Sequence, residues 1–286
     1  MAREDLLVGV DGSALSTEAV RWAAAEAARH GWRLRLVRAY QLPDGTSTED
    51  RNLMRTHVRR QLWTATHAAH AVAPDVPVQQ EDVERDPFSV LETESASARA
   101  LVLGARGVGG FGALLLGSVS DTLTRRAACP VVVVRGPEAS DEALRREDRI
   151  RPVVVGIDGS PASEAAVAYA FAEADAWHAP LVAVHAWSDY LEDPSGVEIP
   201  MLETEEREVL AERLAGWAEK YPDVRVSREV VLGSAAKALV ARSVNARAVV
   251  VGSFDRGRVR RAVLGSTGRA LLHHARSPVA VVRATT

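Results

Sequence analysis

The chain is poor in the features that mark secreted, membrane-bound and phosphate-loop proteins. It contains one cysteine, which excludes an internal disulfide framework. No apolar run reaches the ~20 residues of a membrane span, and residues 1–5 lack an apolar signal core. The only lysines are Lys220 and Lys237, so no glycine-rich stretch ends in the lysine of a P-loop. The net charge of −3 argues against a general polyanion binder. We therefore expect a cytoplasmic protein that binds neither membranes nor nucleic acids.

What the chain has instead is an internal repeat. Segment 8–13 (VGVDGS) returns at 155–160 (VGIDGS), and segment 116–118 (LGS) returns at 264–266. The first pair is separated by 147 residues and the second by 148, so the two copies keep register with a net one-residue insertion. The repeat indicates a duplicated domain, in which a site built by one copy should have a counterpart in the other.

The length of the chain agrees with this duplication. A chain of 286 residues is expected to hold two domains, each long enough to bury its own core. The stretch that follows the first copy, GPEASDEALRREDR, is charged and poor in large apolar residues. We predict a first domain over 1–136, a linker over 137–149 and a second domain over 150–286.

Short apolar runs alternate with helical patterns in each half. The predicted strands are Leu6–Val10, Leu34–Ala39, Val78–Val83, Ala100–Leu103, Val131–Val134, Val153–Ile157, Leu181–Ala186, Arg225–Val231, Ala248–Val251 and Val279–Val282. The helices predicted in the first half are Ser16–Arg29, Thr48–Ala73, Pro87–Arg99 and Ser118–Ala128. Several of the strands are apolar throughout, as is typical of strands buried on both faces of a parallel sheet. The fold class predicted is α/β, with two tandem copies of a five-stranded doubly wound parallel sheet.

Doubly wound sheets bind ligands beyond the carboxyl ends of their strands. The first strand ends at Asp11, and the fourth leads into a glycine-rich loop over 104–117 and then Ser118. Glycine amides and a helix N-terminus favour an anion, and Ser118 can donate to a phosphate. Asp11 can accept hydrogen bonds from a base amino group or from sugar hydroxyls. The anion site and this carboxylate together predict a nucleotide as the ligand. The alternative for Asp11 and its counterpart Asp158 is a turn cap, because Asx-Gly-Ser is turn chemistry.

The spacing Gly104-x2-Gly107-x9-Gly117-Ser118 is similar to the nucleotide-binding signature of the universal stress protein family. The Val-Asp-Gly-Ser strand end at 10–13 and the closing Cys-Pro-Val-Val-Val-Val at 129–134 are similar to that family as well. The resemblance covers both halves, so the chain resembles a tandem universal stress protein of the kind common in actinobacteria.

This resemblance implies an adenine-nucleotide α-hydrolase-like fold with strand order 3-2-1-4-5 in each copy. It implies that ATP, alone or with Mg²⁺, is bound rather than turned over. The candidate cofactor-binding residues in the first copy are Val10, Asp11, Gly12, Ser13, Ala39, Gly104, Arg106, Gly107, Gly117, Ser118 and Val119. Those in the second copy are Asp158, Ala186, Gly252, Gly265, Ser266 and Thr267.

The second copy departs from the pattern. Asp255 stands at the middle glycine position and Phe254 replaces Arg106, so a carboxylate would face a phosphate there. Four arginines crowd the same loop and could offset that repulsion; they are Arg256, Arg258, Arg260 and Arg261. We predict binding in the first copy and leave the second copy open.

The resemblance implies a nucleotide-dependent regulator of the stress or dormancy response. No residue is placed to activate a water, so we expect no catalytic residues and at most slow ATPase activity. The alternatives are an interaction scaffold that binds no ligand and an enzyme that hydrolyses ATP slowly. We expect no metal site, because His67 and His70 share a helix face without a third ligand. The expected partners are an adenine nucleotide and regulatory proteins of unknown identity, with a homodimer as an open alternative.

Overall fold

The computed structural model describes residues 5–107, 116–136, 151–187, 199–253 and 264–284, with the side chains of 199–203 left aside. The chain folds as two compact units, Met1–Glu138 and Ala139–Thr286. The predicted linker over 137–149 and the segments 108–115 and 254–263 lie outside the described residues. No helix within the described ranges is both long enough and apolar enough to cross a membrane.

Strands and helices alternate along the first unit. Its elements are β1 (Asp5–Gly9), α1 (Ala14–His30), β2 (Arg33–Tyr40), α2 (Thr48–His70), β3 (Val78–Glu84), α3 (Pro87–Glu94), β4 (Ala100–Gly104), α4 (Ser118–Arg126) and β5 (Val131–Val134). The strands form a parallel sheet in the order β3-β2-β1-β4-β5. Since β1 pairs with both β2 and β4, the direction of winding reverses between β1 and β4. That gap is the switch point at which doubly wound sheets hold ligands.

The second unit repeats this plan. Its elements are β6 (Val153–Ile157), α5 (Pro161–Ala176), β7 (Leu181–Ala186), α6 (Ile199–Lys220), β8 (Val226–Val231), α7 (Ala235–Ser243), β9 (Ala248–Gly252), α8 (Ser266–His274) and β10 (Val279–Val282). The sheet order is β8-β7-β6-β9-β10, again with parallel pairing. The predicted order 3-2-1-4-5 and the doubly wound fold class are therefore confirmed in both copies.

The central strands carry the core of each unit. In the first unit Leu7, Val8, Leu101 and Val102 are all fully buried. Such apolar strands bury both faces because the crossover helices of a parallel sheet cover both sides. The apolar runs in the sequence therefore marked the central strands correctly.

The first helix begins earlier than the sequence indicated. Ser13, rather than Ser16, is the N-cap of α1, and its hydroxyl oxygen accepts from the Ser16 amide at 3.1 Å. The Ser16 hydroxyl instead donates back to the Ser13 carbonyl at 2.9 Å. A cap must precede the first helical residue and face its free amides, which is the position that Ser13 holds.

The third helix ends earlier than the predicted boundary at Arg99, because Ser95 ends it. Ser95 is fully buried; its hydroxyl donates to the Glu92 carbonyl at 2.6 Å and accepts from the Ala128 amide at 2.8 Å. The side chain thus bridges the end of α3 to the segment that enters β5. Ser243 repeats the bridge in the second unit, donating to the Val240 carbonyl at 2.6 Å and accepting from the Arg276 amide at 3.0 Å.

We predict that Ser95→Ala and Ser243→Ala each destabilise the unit that contains them. Either change removes the acceptor of a partly buried backbone amide, which costs about 0.5–1.5 kcal/mol. Urea unfolding followed by circular dichroism should show the transition of the affected unit at lower urea in each variant. Ser97→Ala, which removes an exposed hydroxyl in the same turn, is the control and should unfold like the wild type. Equal midpoints for Ser95→Ala and Ser97→Ala would contradict the bridging role.

Candidate functional site

A cavity of about 440 Å³ opens at the switch point of the first unit. Strand ends, the first turn of α4 and the start of α3 supply its walls. The lining residues are Gly9, Val10, Asp11, Ser16, Val37, Arg38, Ala39, Pro87, Leu91, Leu103, Gly104, Arg106, Gly107, Leu116, Gly117, Ser118, Val119 and Ser120. Its volume lies within the range of about 300–1,000 Å³ that small-molecule pockets span.

One carboxylate enters this cavity. Asp11 follows β1, and its Oδ1 accepts from the Ser13 amide at 2.9 Å. Its Oδ2 lies against Gly107, where a Cβ atom would be only 2.3 Å from that oxygen. The absence of a side chain at Gly107 therefore lets the carboxylate rest against the loop that follows β4. This contact brings together the two strand ends that flank the switch point.

The first turn of α4 faces the cavity, and no side chain of the described residues caps its amides. Within the described ranges, five helices begin with a side-chain acceptor; the acceptors are Ser13, Ser47, Asp86, Ser160 and Ser234. In contrast, α4 and α8 follow glycines, Gly117 and Gly265, and the structure shows no side-chain cap at either among the residues that it describes. A helix start of this kind offers N–H donors and the positive end of the helix dipole to an anion.

Two of the predicted glycines have packing roles. A Cβ on Gly104 would lie 2.8 Å from the Leu15 carbonyl carbon and 2.9 Å from the Ser16 amide nitrogen, so glycine is needed for α1 to approach β4. Gly12 has a φ of +83°, in the left-handed region that favours glycine. Both residues therefore shape the site even where they touch no ligand.

The remaining walls are largely apolar. Strand β2 and helix α3 supply Val37, Ala39, Pro87 and Leu91, and β4 adds Leu103. The site thus combines an apolar wall with a carboxylate and a helix N-terminus. A ligand with a flat apolar part, hydrogen-bonding groups and an anionic group fits that combination.

Sequence reasoning missed a charged residue of the cavity. Arg38 lies near the end of β2, partly buried, where its Nε donates to Gln61 Oε1 and its Nη1 donates to the Ala39 carbonyl, both at 2.9 Å. Burial lowers the pKa of Arg38, and the charge of Asp11 acts in the opposite direction. A guanidinium nevertheless stays protonated in proteins. The signal in the sequence was an arginine inside the apolar run Leu36-Val37-Arg38-Ala39-Tyr40.

Most of the predicted residues of the first copy meet at this cavity. Those that line it are Val10, Asp11, Ala39, Gly104, Arg106, Gly107, Gly117, Ser118 and Val119. Gly12 and Ser13 are not among the lining residues. The Ser13 hydroxyl caps α1 and donates to the Arg106 carbonyl at 3.4 Å. The turn-cap alternative for Asp11 coexists with the ligand prediction, since one carboxylate oxygen serves the turn while the residue still lines the cavity.

The second unit reproduces the scaffold of the site. Asp158 follows β6 and accepts from the Ser160 amide at 2.9 Å, Ala186 ends β7, and Gly252 ends β9. A Cβ on Gly252 would lie 2.6 Å from the Ala162 carbonyl carbon, as at Gly104. Gly265 precedes α8, which begins with Ser266 and Thr267. Phe254, Asp255, Arg256, Arg258, Arg260 and Arg261 lie outside the described residues.

Comparisons with known proteins point to one family. The sequence profile of the universal stress protein family matches this chain twice, over residues 3–135 and 149–283. A universal stress protein of Mycobacterium tuberculosis (strain H37Rv) is 41% identical over 288 residues, covering 97% of this chain and 96% of that protein. One from Mycolicibacterium smegmatis is 40% identical over 293 residues, with coverage of 97% and 96%.

A solved structure shows the same fold. The crystal structure of a universal stress protein from Archaeoglobus fulgidus DSM 4304 is similar to this chain with a TM-score of 0.72 at 19% sequence identity. The match covers 99% of this chain and 97% of that one. At this identity the similarity supports the fold alone.

Helix α3, which supplies Pro87 and Leu91 to the cavity, should lose stability in acid. Asp86 caps it by accepting hydrogen bonds from the Ser89 amide and hydroxyl, both at 2.8 Å. The hydrogen bond from the Ser89 amide is the main cause that lowers the pKa of the Asp86 carboxyl. A lowered folded-state pKa adds stability above the unfolded value of about 3.9 and loses it as the pH falls through the folded value. We predict that Asp86→Ala costs about 1 kcal/mol at pH 7 and less in acid.

Urea unfolding at pH 7 and at about pH 3 measures this difference. Asp44→Ala, which removes an exposed carboxylate before α2, is the matched control. The cap assignment is wrong if the cost of Asp86→Ala is the same at both pH values.

Proposed function

The chain belongs to the universal stress protein family, and on that premise we propose that its first unit binds ATP and acts as a nucleotide-dependent regulator. The family assignment supports a role in the response to stress. The single cysteine supports placing this role in the reducing cytoplasm. The domain limits that we propose remain 1–136 and 150–286, joined by the linker.

The observation that carries the proposal is the start of α4 at the cavity. Gly117, Ser118 and Val119 line the cavity at a helix N-terminus without a side-chain cap among the described residues. Phosphate groups bind at such helix starts because several amides and the helix dipole act together. Ser118 is exposed at the first helical position, so its hydroxyl can add a donor. Arg106 also lines the cavity and adds positive charge.

The opposite wall suits a nucleoside. Val37, Ala39 and Leu91 offer apolar surface to a base, and the carboxylate of Asp11 can accept from ribose hydroxyls or a base amino group. Asp11 is the one carboxylate among the described lining residues. A magnesium ion held there would therefore rely mainly on phosphate oxygens and water, as Mg²⁺ commonly does.

The lining residues support binding rather than catalysis. The described walls of the cavity contain no histidine, cysteine or lysine. Ser16, Ser118 and Ser120 supply hydroxyls, but the Ser120 hydroxyl already donates to the Gly104 carbonyl at 2.8 Å. An activated nucleophile needs an adjacent base, and Asp11 is engaged with the Ser13 amide. We therefore propose that any ATP hydrolysis is slow and that the bound nucleotide acts on partner proteins.

Calorimetry of ATP with the nucleotide-stripped chain tests this proposal. Gly117→Glu places a carboxylate at the start of α4, where it would repel a phosphate. A Cβ at Gly117 would lie no closer than 3.5 Å to its nearest neighbours, so the variant should fold. We expect ATP binding to the wild type and at least tenfold weaker binding to the first unit of the variant, a loss of about 1.4 kcal/mol or more.

The repeat supplies the matched control. Gly265→Glu makes the same change at the start of α8, and the first site should keep its affinity. Two sites in the wild type, with one lost in each variant, would show that the second unit binds as well. No binding to the wild type would overturn the proposal and favour the ligand-free scaffold.

A further inference from the structure

Strand β2 carries two arginines with different surroundings. Arg35 points to one face of the sheet, where it contacts Glu94 and lies 3.0 Å from Glu81. Arg38, three residues on, points to the opposite face. Within the described part of the chain, no carboxylate lies in ion-pair contact with Arg38. A partly buried cation with only neutral hydrogen-bond partners is a favourable site for an anion.

The guanidinium of Arg38 is held in place at the cavity wall. Its Nε donates to Gln61 Oε1 and its Nη1 to the Ala39 carbonyl, at 2.9 Å each. Gln61 in turn donates to the Asp11 carbonyl at 3.3 Å. Guanidinium has five N–H donors in a planar fork that matches phosphate oxygens. The donors not used by Gln61 and Ala39 have no acceptor among the described residues, so they are available to a ligand.

The position of Arg38 near the end of β2 indicates which part of a nucleotide it would meet. In the doubly wound folds that bind dinucleotides, a carboxylate binds the free ribose 2′-hydroxyl, or a nearby arginine accommodates a 2′-phosphate instead. Here Asp11 and Arg38 lie at neighbouring strand ends on the same cavity. The start of α4 would take the 5′-phosphate from the other side.

We propose that the first unit selects an adenine nucleotide that carries a second phosphate on its ribose, at the 2′ or 3′ position, and that Arg38 binds that phosphate. The inference rests on the proposed nucleotide binding at this cavity. Asp11 constrains the geometry, because its negative charge requires the ribose phosphate to lie on the side of the guanidinium away from the carboxylate.

The second unit lacks this feature. The counterpart of Arg38 is His185, which pairs in register with Ile157. Its Nδ1 lies 2.8 Å from the Ile157 carbonyl, and its Nε2 lies 3.0 Å from Glu206 Oε2. A carboxylate thus stands where an added phosphate would have to approach. The selection of a ribose phosphate is accordingly a property of the first unit alone.

Arg38 also links β2 to α2 through Gln61, so a purely structural role has to be separated from ligand binding. If Arg38 only links β2 to α2, its replacement would weaken the binding of all nucleotides by a similar factor. If Arg38 contacts the ribose phosphate, its replacement would weaken the binding only of ligands that carry that phosphate. The ratio of two affinities that differ by one phosphate distinguishes these roles.

The experiment compares AMP with adenosine 2′,5′-bisphosphate and adenosine 3′,5′-bisphosphate by calorimetry on the stripped full-length chain. We expect one bisphosphate to bind the wild type about tenfold or more tightly than AMP, as charge-assisted contacts allow. Arg38→Gln should abolish this gain, so that the bisphosphates and AMP bind this variant with about the same affinity as one another. Arg38→Lys, which keeps the charge without the fork, should keep part of it. Arg33→Gln removes an exposed arginine of the same strand, paired with Asp5 at 2.8 Å, and should keep all of it.

Each contrary outcome has a distinct meaning. If ATP and AMP bind but neither bisphosphate binds more tightly than AMP, the inference is wrong and the proposed function stands. If a bisphosphate is preferred and Arg38→Gln keeps the preference, Arg38 is not the phosphate ligand. If no nucleotide binds, the proposed function fails and this inference fails with it. Should the glutamine variant not fold, the wild-type ratio and Arg38→Lys still decide.

Discussion

The site depends on one backbone contact, the approach of α1 to the last residue of β4. A side chain at Gly104 would collide with the backbone of Leu15 and Ser16, so only glycine permits it. The contact sets the start of α1 against the loop that follows β4, where Ser13 reaches the Arg106 carbonyl. The same closeness lets the Asp11 carboxylate rest on Gly107. The two strand ends are therefore held together by packing before any ligand is considered.

Comparison of the two units separates scaffold from chemistry. Glycines at the strand ends and the buried serine bridges recur in both copies, with Gly104 matched by Gly252 and Ser95 by Ser243. The polar groups beside the first strand differ. The first unit has an arginine on its second strand and Gln61 against Gly12, whereas the second unit has a histidine on that strand and Arg213 against Gly159. Packing constraints are shared by both copies, while the charge pattern of each site is its own.

Apolar runs in the sequence were sufficient for the strands, the family resemblance supplied their order, and half of the residues that line the cavity were predicted. Apolar runs indicate buried strands, and glycine spacing indicates where two backbone segments approach closely. Both signals lie in short segments of sequence that recur in the two copies. The end of α3 was missed because Ser95 stops the helix through the amide of Ala128, a partner that helical periodicity does not reveal. Arg38 was missed because alternation along β2 places arginines on both faces, and only the fold shows that Arg35 meets carboxylates while Arg38 meets Gln61. Whether the predicted residues hold a nucleotide stays a prediction.

The start of α4, which no side chain of the described residues caps, has a thermodynamic consequence. An anion bound there would supply the hydrogen-bond acceptors that Ser13 supplies to α1, so ligand binding and the order of the first turn are coupled. A ligand that binds only the ordered helix stabilises it in proportion to the logarithm of its concentration. Helix α4 also contacts α3, with Arg126 Nε 2.9 Å from Glu92 Oε1, so a change in its order would be transmitted to that surface. The helix would then act as a sensor whose local stability follows the ligand concentration.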